Sequence, residues 1–182
     1  MSISRALPAD AHRVSALAIE TFPLACPPGT TRENIDLFCS TKLSPQAFEA
    51  YLADSRIRVW CAGRGHELAG YVMSVSGEPD DPVIAEAVKA RPTVEISKIY
   101  VRVSAHGTGI AQQLMSVAVE EAKAEGAQSV WLGVNQQNER ANTFYERNGF
   151  LVVGERRFQV GDSLEEDFVR EKVLWSSHIG FS

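Results

Sequence analysis

Apolar positions along the chain recur with two different periods, and the switches between them divide it into elements. Ser2 to Ala6 alternates as a short strand does, and beyond Pro8 and Asp10 the residues Val14, Leu17, Ala18 and Phe22 recur at helical spacing. Pro27, Pro28 and Gly29 then break the chain into a loop, after which Thr30 or Thr31 is suited to cap a second helix through Phe38. Ser44, followed by Pro45 and by Ala47, Phe48, Tyr51 and Leu52, predicts a third helix with a capping serine and a proline in its first turn. RIRVWCAG and HELAGYVMSVSG are β-rich runs separated by Gly63, Arg64 and Gly65, which suits a hairpin.

GEPDDPVIAEAVKARP is a polar excursion with room for one helical turn, and Thr93 to Val101, TVEISKIYV, is a strand rich in β-branched residues. A helix follows with Ile110, Ala111, Leu114, Val117, Ala118 and Ala122 on one stripe, ending near Gly126. SVWLGV is short and almost wholly apolar, as a strand buried on both faces must be. NERANTFYERNGF predicts a further helix ending at Gly149, and Phe150 to Glu155 with Phe168 to Trp175 make a final pair of strands. The order is one strand, three helices, then β-β-β-helix-β-helix-β-β: an α/β structure of α+β type in which helices interrupt a mixed sheet rather than alternate with its strands.

Composition narrows the possibilities. At 182 residues with 45% hydrophobic and 23% charged side chains, the chain reads as one globular domain over 1–182, with no repeat and no low-complexity tract. Net charge is −5 and the pI about 5.4, so no global positive field is available to gather nucleic acid. Cys26, Cys39 and Cys61 have no metal-ligand spacing, and an odd number argues against a disulfide framework. Neither a secretory leader nor a bilayer-length apolar run is recognisable, so the expectation is a cytoplasmic protein without a membrane or metal partner.

Chemistry enters at the joint His106-Gly107-Thr108-Gly109-Ile110-Ala111, where a strand hands over to a helix. Glycines let backbone N–H groups reach a ligand, and a helix N-terminus adds unpaired donors and a positive dipole end, so the joint suits an anion such as a pyrophosphate. It is not a P-loop, because Ile110 and Ala111 follow Gly109, and not a dinucleotide fingerprint, because Gln112 stands where a third glycine is needed. A ligand-free, glycine-relaxed turn is the other reading of the hexapeptide.

Context decides between them. The superfamily of GCN5-related N-acetyltransferases carries Gln or Arg, two residues, Gly, one residue, then Gly or Ala, and the chain resembles it at Gly109 and Ala111 while His106 departs from the usual residue. Downstream, Asn138, Ala141, Phe144, Tyr145, Gly149 and Phe150 match that superfamily's NxxAxxFYxxxGF at every position. GERRFQVGDSLEEDF, EISKIYV and VWLGV look more narrowly like the PaiA-type polyamine N-acetyltransferases, a resemblance extending over nearly the whole chain. It implies the GNAT fold, a mixed but mostly antiparallel sheet flanked by helices, and acetyl-CoA as co-substrate.

The resemblance also assigns roles. Tyr145 would donate a proton to the departing thiolate, and Glu95, four residues before Ile99, would be the base for the amine. A solvated glutamate with a water chain as base, and a core aromatic, are the plain alternatives, since Ala141, Phe144 and Tyr145 also have ordinary helix-packing spacing. Ile99 would polarise the thioester carbonyl through its N–H, Val101 would pair with the pantetheine arm, and His106, Gly107, Thr108, Gly109, Ile110 and Ala111 would hold the pyrophosphate, His106 through its backbone. Asn138 would bond the pantetheine and Arg147 approach the ribose phosphate. In a regular strand, Glu95, Ser97, Ile99 and Val101 would share one side; a bulge would change that count.

For the acceptor, the helices between Val14 and Leu52 should form a wall, with Glu20, Glu33 and Asp36 as cation partners. Glu165, Glu166 and Asp167 would either attract a polyamine such as spermidine or spermine or form a solvated loop. The expected partner is a small-molecule amine, with a protein N-terminus or an antibiotic amine as the alternative acceptor, a non-catalytic acyl-CoA sensor as the alternative class, and homodimerisation as the superfamily's habit.

Overall fold

A computed structural model describes residues 1–174. Its strands are β1 (Ser2–Arg5), β2 (Ile57–Arg64), β3 (Glu67–Ser76), β4 (Thr93–Val101), β5 (Ser129–Asn135), β6 (Leu151–Val160) and β7 (Ser163–Val173). The helices are α1 (Ala11–Thr21), α2 (Arg32–Lys42), α3 (Pro45–Ala53), α4 (Pro82–Ala87), α5 (Ile110–Ala124) and α6 (Glu139–Arg147). One seven-stranded sheet runs β1-β2-β3-β4-β5-β7-β6, and every neighbouring pair is antiparallel except β4 with β5. This is the α+β arrangement expected from the pattern.

The helices cover both faces. α5 packs Ile110, Leu114, Met115, Ala118, Val119 and Ala122 onto Val72, Val94, Ile96, Val130, Leu132 and Val134. α1 and α3 cover the other face, where Val14, Leu17 and Phe48 meet Val59, Tyr71 and Met73. Met115 and Val119 take core places that the sequence reading gave to Ala111 and Val117, which stay half-buried. Local signals set the helix starts: Thr31 Oγ1 accepts from Asn34 N–H, Ser44 Oγ from Ala47 N–H and Asp81 from Val83 N–H.

Four expectations change. α2 runs on past Phe38 to Lys42, and β2 continues to Arg64, with Gly63 in a bulge where a Cβ would collide with the Glu67 carbonyl. The last hairpin is much longer than its apolar ends suggest, because β6 and β7 pair as far as Val160 and Ser163 around a tight turn at Gly161 and Asp162. The acidic run Glu165 to Asp167 therefore lies on a strand and is no solvated loop. Asn34 anchors the turn, its Oδ1 accepting from Asp162 N–H at 3.3 Å and its Nδ2 donating to Ser163 Oγ at 3.1 Å. The end foreseen at Trp175 lies outside the described residues.

The fourth change concerns β4. Met73 pairs with Lys98 but Ser74 with Ile96, so Ser97 is an extra residue on β4. Before it Val94 and Ile96 face α5; beyond it Ile99 does, opposite Val72. Glu95 thus faces away from α5, together with Lys98 and Tyr100, and does not share a side with Ile99 and Val101.

Candidate active site

β4 and β5 stay paired only over Thr93–Glu95 and Ser129–Trp131. β4 continues to Val101 and β5 to Asn135, and between these two ends the sheet opens. Arg102 N–H donates to Ala69 O at 2.8 Å, so by the alternation of an antiparallel ladder Val101 and Ile99 turn their N–H groups away from β3, into the opening. An extended backbone fits there as a further strand would.

Two clefts, of about 640 and 830 Å³, meet at this gap and share Ala25, Ile99, Tyr100, Asn138, Ala141 and Tyr145. The larger contains the glycine joint. Gly107 and Gly109 have φ of +76° and +83°, in the left-handed region where a side chain is strained, and Gly109 caps α5. No partner is present among the described residues for the N–H groups of Gly107, Gly109, Ile110, Ala111 and Gln112, while a Cβ on either glycine would meet only open space. The cradle therefore fits the phosphates of coenzyme A by its unfilled donors.

Two predicted members of the cradle differ. Thr108 turns its side chain away, Oγ1 donating to Ala105 O at 2.6 Å, and lines a different surface with Arg64 and Arg102. His106 commits its backbone N–H to Val103 O, so the expected backbone contact is not available. Its ring bridges Val101 O and Arg140 Nη1, each at 2.9 Å. A carbonyl only accepts and a guanidinium only donates, so Nε2 carries the proton and Nδ1 is bare. His106 thereby ties the free end of β4 to α6.

α6 explains the second motif physically. Asn138 Oδ1 accepts from Ala141 N–H at 3.0 Å, capping the helix, and the residue lines both clefts, its amide nitrogen without a partner among the described residues. At the other end Phe150 N–H reaches Tyr145 O and Gly149 N–H reaches Glu146 O, with Gly149 at φ +82°, which is a Schellman closure. Phe150 is buried and its ring lies 6.0 Å from that of Tyr145. Each motif residue thus helps fix Tyr145, whose hydroxyl has no partner among the described residues and lies in the wall common to both clefts. Burial holds its phenol well above the ordinary value, keeping it protonated at neutral pH. Arg147 lines the larger cleft and is exposed.

The smaller cleft takes its charges from separated elements: Lys42 of α2, Glu95 and Lys98 of β4, Arg156 of β6, and Glu165 and Asp167 of β7. Burial raises the Glu95 carboxyl, an effect that Arg156 and Lys98 partly oppose. Burial also pulls the Lys98 ammonium down to about 8, partly offset by Glu95. Asp167 is buried and pushed up, though Arg156 Nε lies 3.4 Å from its Oδ2. The Arg156 guanidinium rests directly on Gly133, where any Cβ would strike it.

The expected cation partners are elsewhere. Glu20 binds Arg102 at 2.9 Å, Asp36 binds Arg32 at 3.3 Å on the outer face of α2, and Glu33 is exposed. α2 does supply part of the wall, through Leu37, Phe38, Thr41 and Lys42. Lys98, Arg156 and Arg140 escaped the sequence reading. The only available signal was a lysine in the middle of an otherwise apolar strand. Among the described residues no group of three or more His, Cys, Asp and Glu gathers for a metal, and no helix is long and apolar enough to cross a membrane.

Residues 18–150 match the profile of the acetyltransferase (GNAT) family. An uncharacterised N-acetyltransferase of Mycobacterium tuberculosis is 39% identical over 165 residues, spanning 91% of this chain and 98% of its own. The crystal structure of PaiA N-acetyltransferase from Thermoplasma acidophilum in complex with coenzyme A superposes with a TM-score of 0.74 at 21% identity, covering 96% of this chain and 100% of that one. NAA60 of Arabidopsis thaliana in complex with acetyl-CoA gives 0.73 at 17% identity, over 95% and 98%. At these identities the two structures establish the shared fold.

Proposed function

The chain belongs to the acetyltransferase (GNAT) family, and from that premise we propose that it moves an acetyl group from acetyl-CoA to a primary amine by direct attack in a ternary complex. The observation that carries this reading is the opening of β4 from β5, with Tyr145, whose hydroxyl has no partner among the described residues, in the wall between the two clefts. Acetyl-CoA, when bound, supplies an acetyl thioester. The N–H groups of Gly107, Gly109, Ile110 and Ala111 hold the phosphates, and the N–H of Val101 pairs with an extended arm, its carbonyl being already engaged by His106. Arg147 approaches the ribose phosphate and the Asn138 amide nitrogen bonds the arm.

Ile99 N–H donates to the oxygen that gains charge as the amine attacks. Glu95 takes the proton from an ammonium, whose ordinary pKa is about 10.4; burial raises its carboxyl and so moves it toward that task. Tyr145 keeps a proton at Oη and offers it to the leaving sulfur. The reading carries one domain over 1–182, a cytoplasmic setting and a homodimer, the last checked by light scattering.

A thiol-release assay with spermidine, spermine, an aminoglycoside and N-terminal peptides tests the function. Turnover with any amine supports it; silence across the panel with coenzyme A still bound replaces it with a non-catalytic sensor. A polyamine is the acceptor that the wider resemblance favours. We place the acceptor in the smaller cleft, on the Glu95 side of the gap; there Lys42, Lys98 and Arg156 oppose Glu95, Glu165 and Asp167, so no net negative field draws a polycation to this acceptor cleft.

A further inference from the structure

Lys98 occupies an unusual position. Without the extra residue at Ser97 its side chain would point into the apolar layer under α5; the bulge turns it into the acceptor cleft on the same face as Glu95. Half-buried there, its ammonium has Ser97 Oγ at 3.3 Å and the ring of Tyr51 at 5.3 Å from the ring centroid. Among the described residues no carboxylate lies within ion-pair distance of Lys98 or of Lys42, and Asp167 is already engaged by Arg156. Tyr51 joins the two lysines into one wall, since its hydroxyl donates to Lys42 O at 3.1 Å.

A half-buried ammonium with no carboxylate in contact is costly even with Glu95 two ladder steps away, and its loosened proton, with a pKa of about 8, records that cost. An apolar side chain would pack on Tyr51 without it. The arrangement makes sense if a ligand brings a carboxylate into contact with it. Resting on the acetyltransferase reading, we propose that the acceptor is an amine that also carries a carboxylate, the carboxylate received by Lys98 and Lys42 and the amine by Glu95. Glu95 and Lys98 stand about 7 Å apart along the strand, counting two ladder steps, which sets the scale of the separation between the two ends of the acceptor.

Matched amines that differ by one carboxylate test this. Calorimetric titration of the protein, with coenzyme A and without it, compares 5-aminopentanoate with n-butylamine and L-lysine with cadaverine. The carboxylate-bearing member of each pair is expected to bind at least tenfold more tightly. Lys98→Met, shown to be folded by its melting curve, should erase that ratio; Lys98→Arg should keep most of it, and Lys42→Met should reduce it. The proposal is overturned if butylamine and cadaverine bind as well as their partners, if no member of either pair binds, or if the preference survives in Lys98→Met. Loss of the coenzyme A heat is a separate result that sinks the acetyltransferase reading, and the titrations without it still report the preference.

Discussion

Replacing Gly109 by alanine separates what the glycine joint does for the fold from what it does for the ligand. At φ +83° an alanine pays the left-handed penalty, about 1–2 kcal/mol, and because an added Cβ meets nothing within 4 Å there is no steric cost besides. For a chain of this size the melting temperature should fall by about 2–8 °C. Gly126, just past the end of α5 with φ +89° and equally open surroundings, provides the control, so Gly126→Ala should cost the same. The two variants part company over coenzyme A. Relaxing the backbone at 109 re-aims the neighbouring N–H donors, and each charge-assisted bond lost is worth about 1.5–3 kcal/mol, so Gly109→Ala should bind at least tenfold more weakly. Gly126→Ala should bind as wild type does. Melting curves and calorimetry with coenzyme A read both effects, since ligand at a hundred times its dissociation constant adds about 2.7 kcal/mol of stability. Equal affinity in the two variants would refute the phosphate cradle, and an unchanged melting temperature in Gly109→Ala would refute the left-handed turn.

Tyr145→Phe keeps the ring packed between Phe144 and Phe150 and removes only a hydroxyl that bonds none of the described residues; it should leave the melting temperature in place while lowering kcat by about 10²–10⁴. If Glu95 is the base proposed above, it acts only when ionised, so activity should fall as pH drops through its raised pKa; Glu95→Gln should lower kcat and abolish that acidic limb in a pH–rate profile. Gly133→Ala pushes the Arg156 guanidinium off its seat and leaves the buried Asp167 short of its counter-ion, a loss of about 1–3 kcal/mol measurable by denaturant unfolding.

The sequence disclosed the two ends of the site to different depths for a physical reason. The cofactor end is built from contiguous backbone: two glycines, a helix start, and a second helix whose cap, closure and packing residues all lie between Asn138 and Phe150. Each of these is a local requirement, so it leaves a local signature. His106 shows the limit even there, because its ring joins Val101 to Arg140 and neither partner follows from the motif. The full length of the hairpin is not legible because Arg156, Arg157 and Gln159, beyond the predicted strand end at Glu155, suggest a loop by polarity, although the two-residue turn and the anchor at Asn34 make them strand.

The acceptor end leaves no such signature, because its character depends on parity. One unpaired residue at Ser97 decides which face every later side chain of β4 takes, and a bulge alters neither composition nor hydrophobic content. Read as a regular strand, β4 places Glu95 with Ile99 and sends Lys98 into the apolar layer, leaving the cleft acidic and suited to a polycation. With the bulge, Lys98 and Tyr100 join Glu95, and a cation faces the smaller cleft instead of the apolar layer. The same irregularity lies just past the last residues of β4 that pair with β5 and fixes which N–H groups, those of Ile99 and Val101, face the gap, so a single inserted residue sets both the donors in the proposed cofactor channel and the charge facing the smaller cleft.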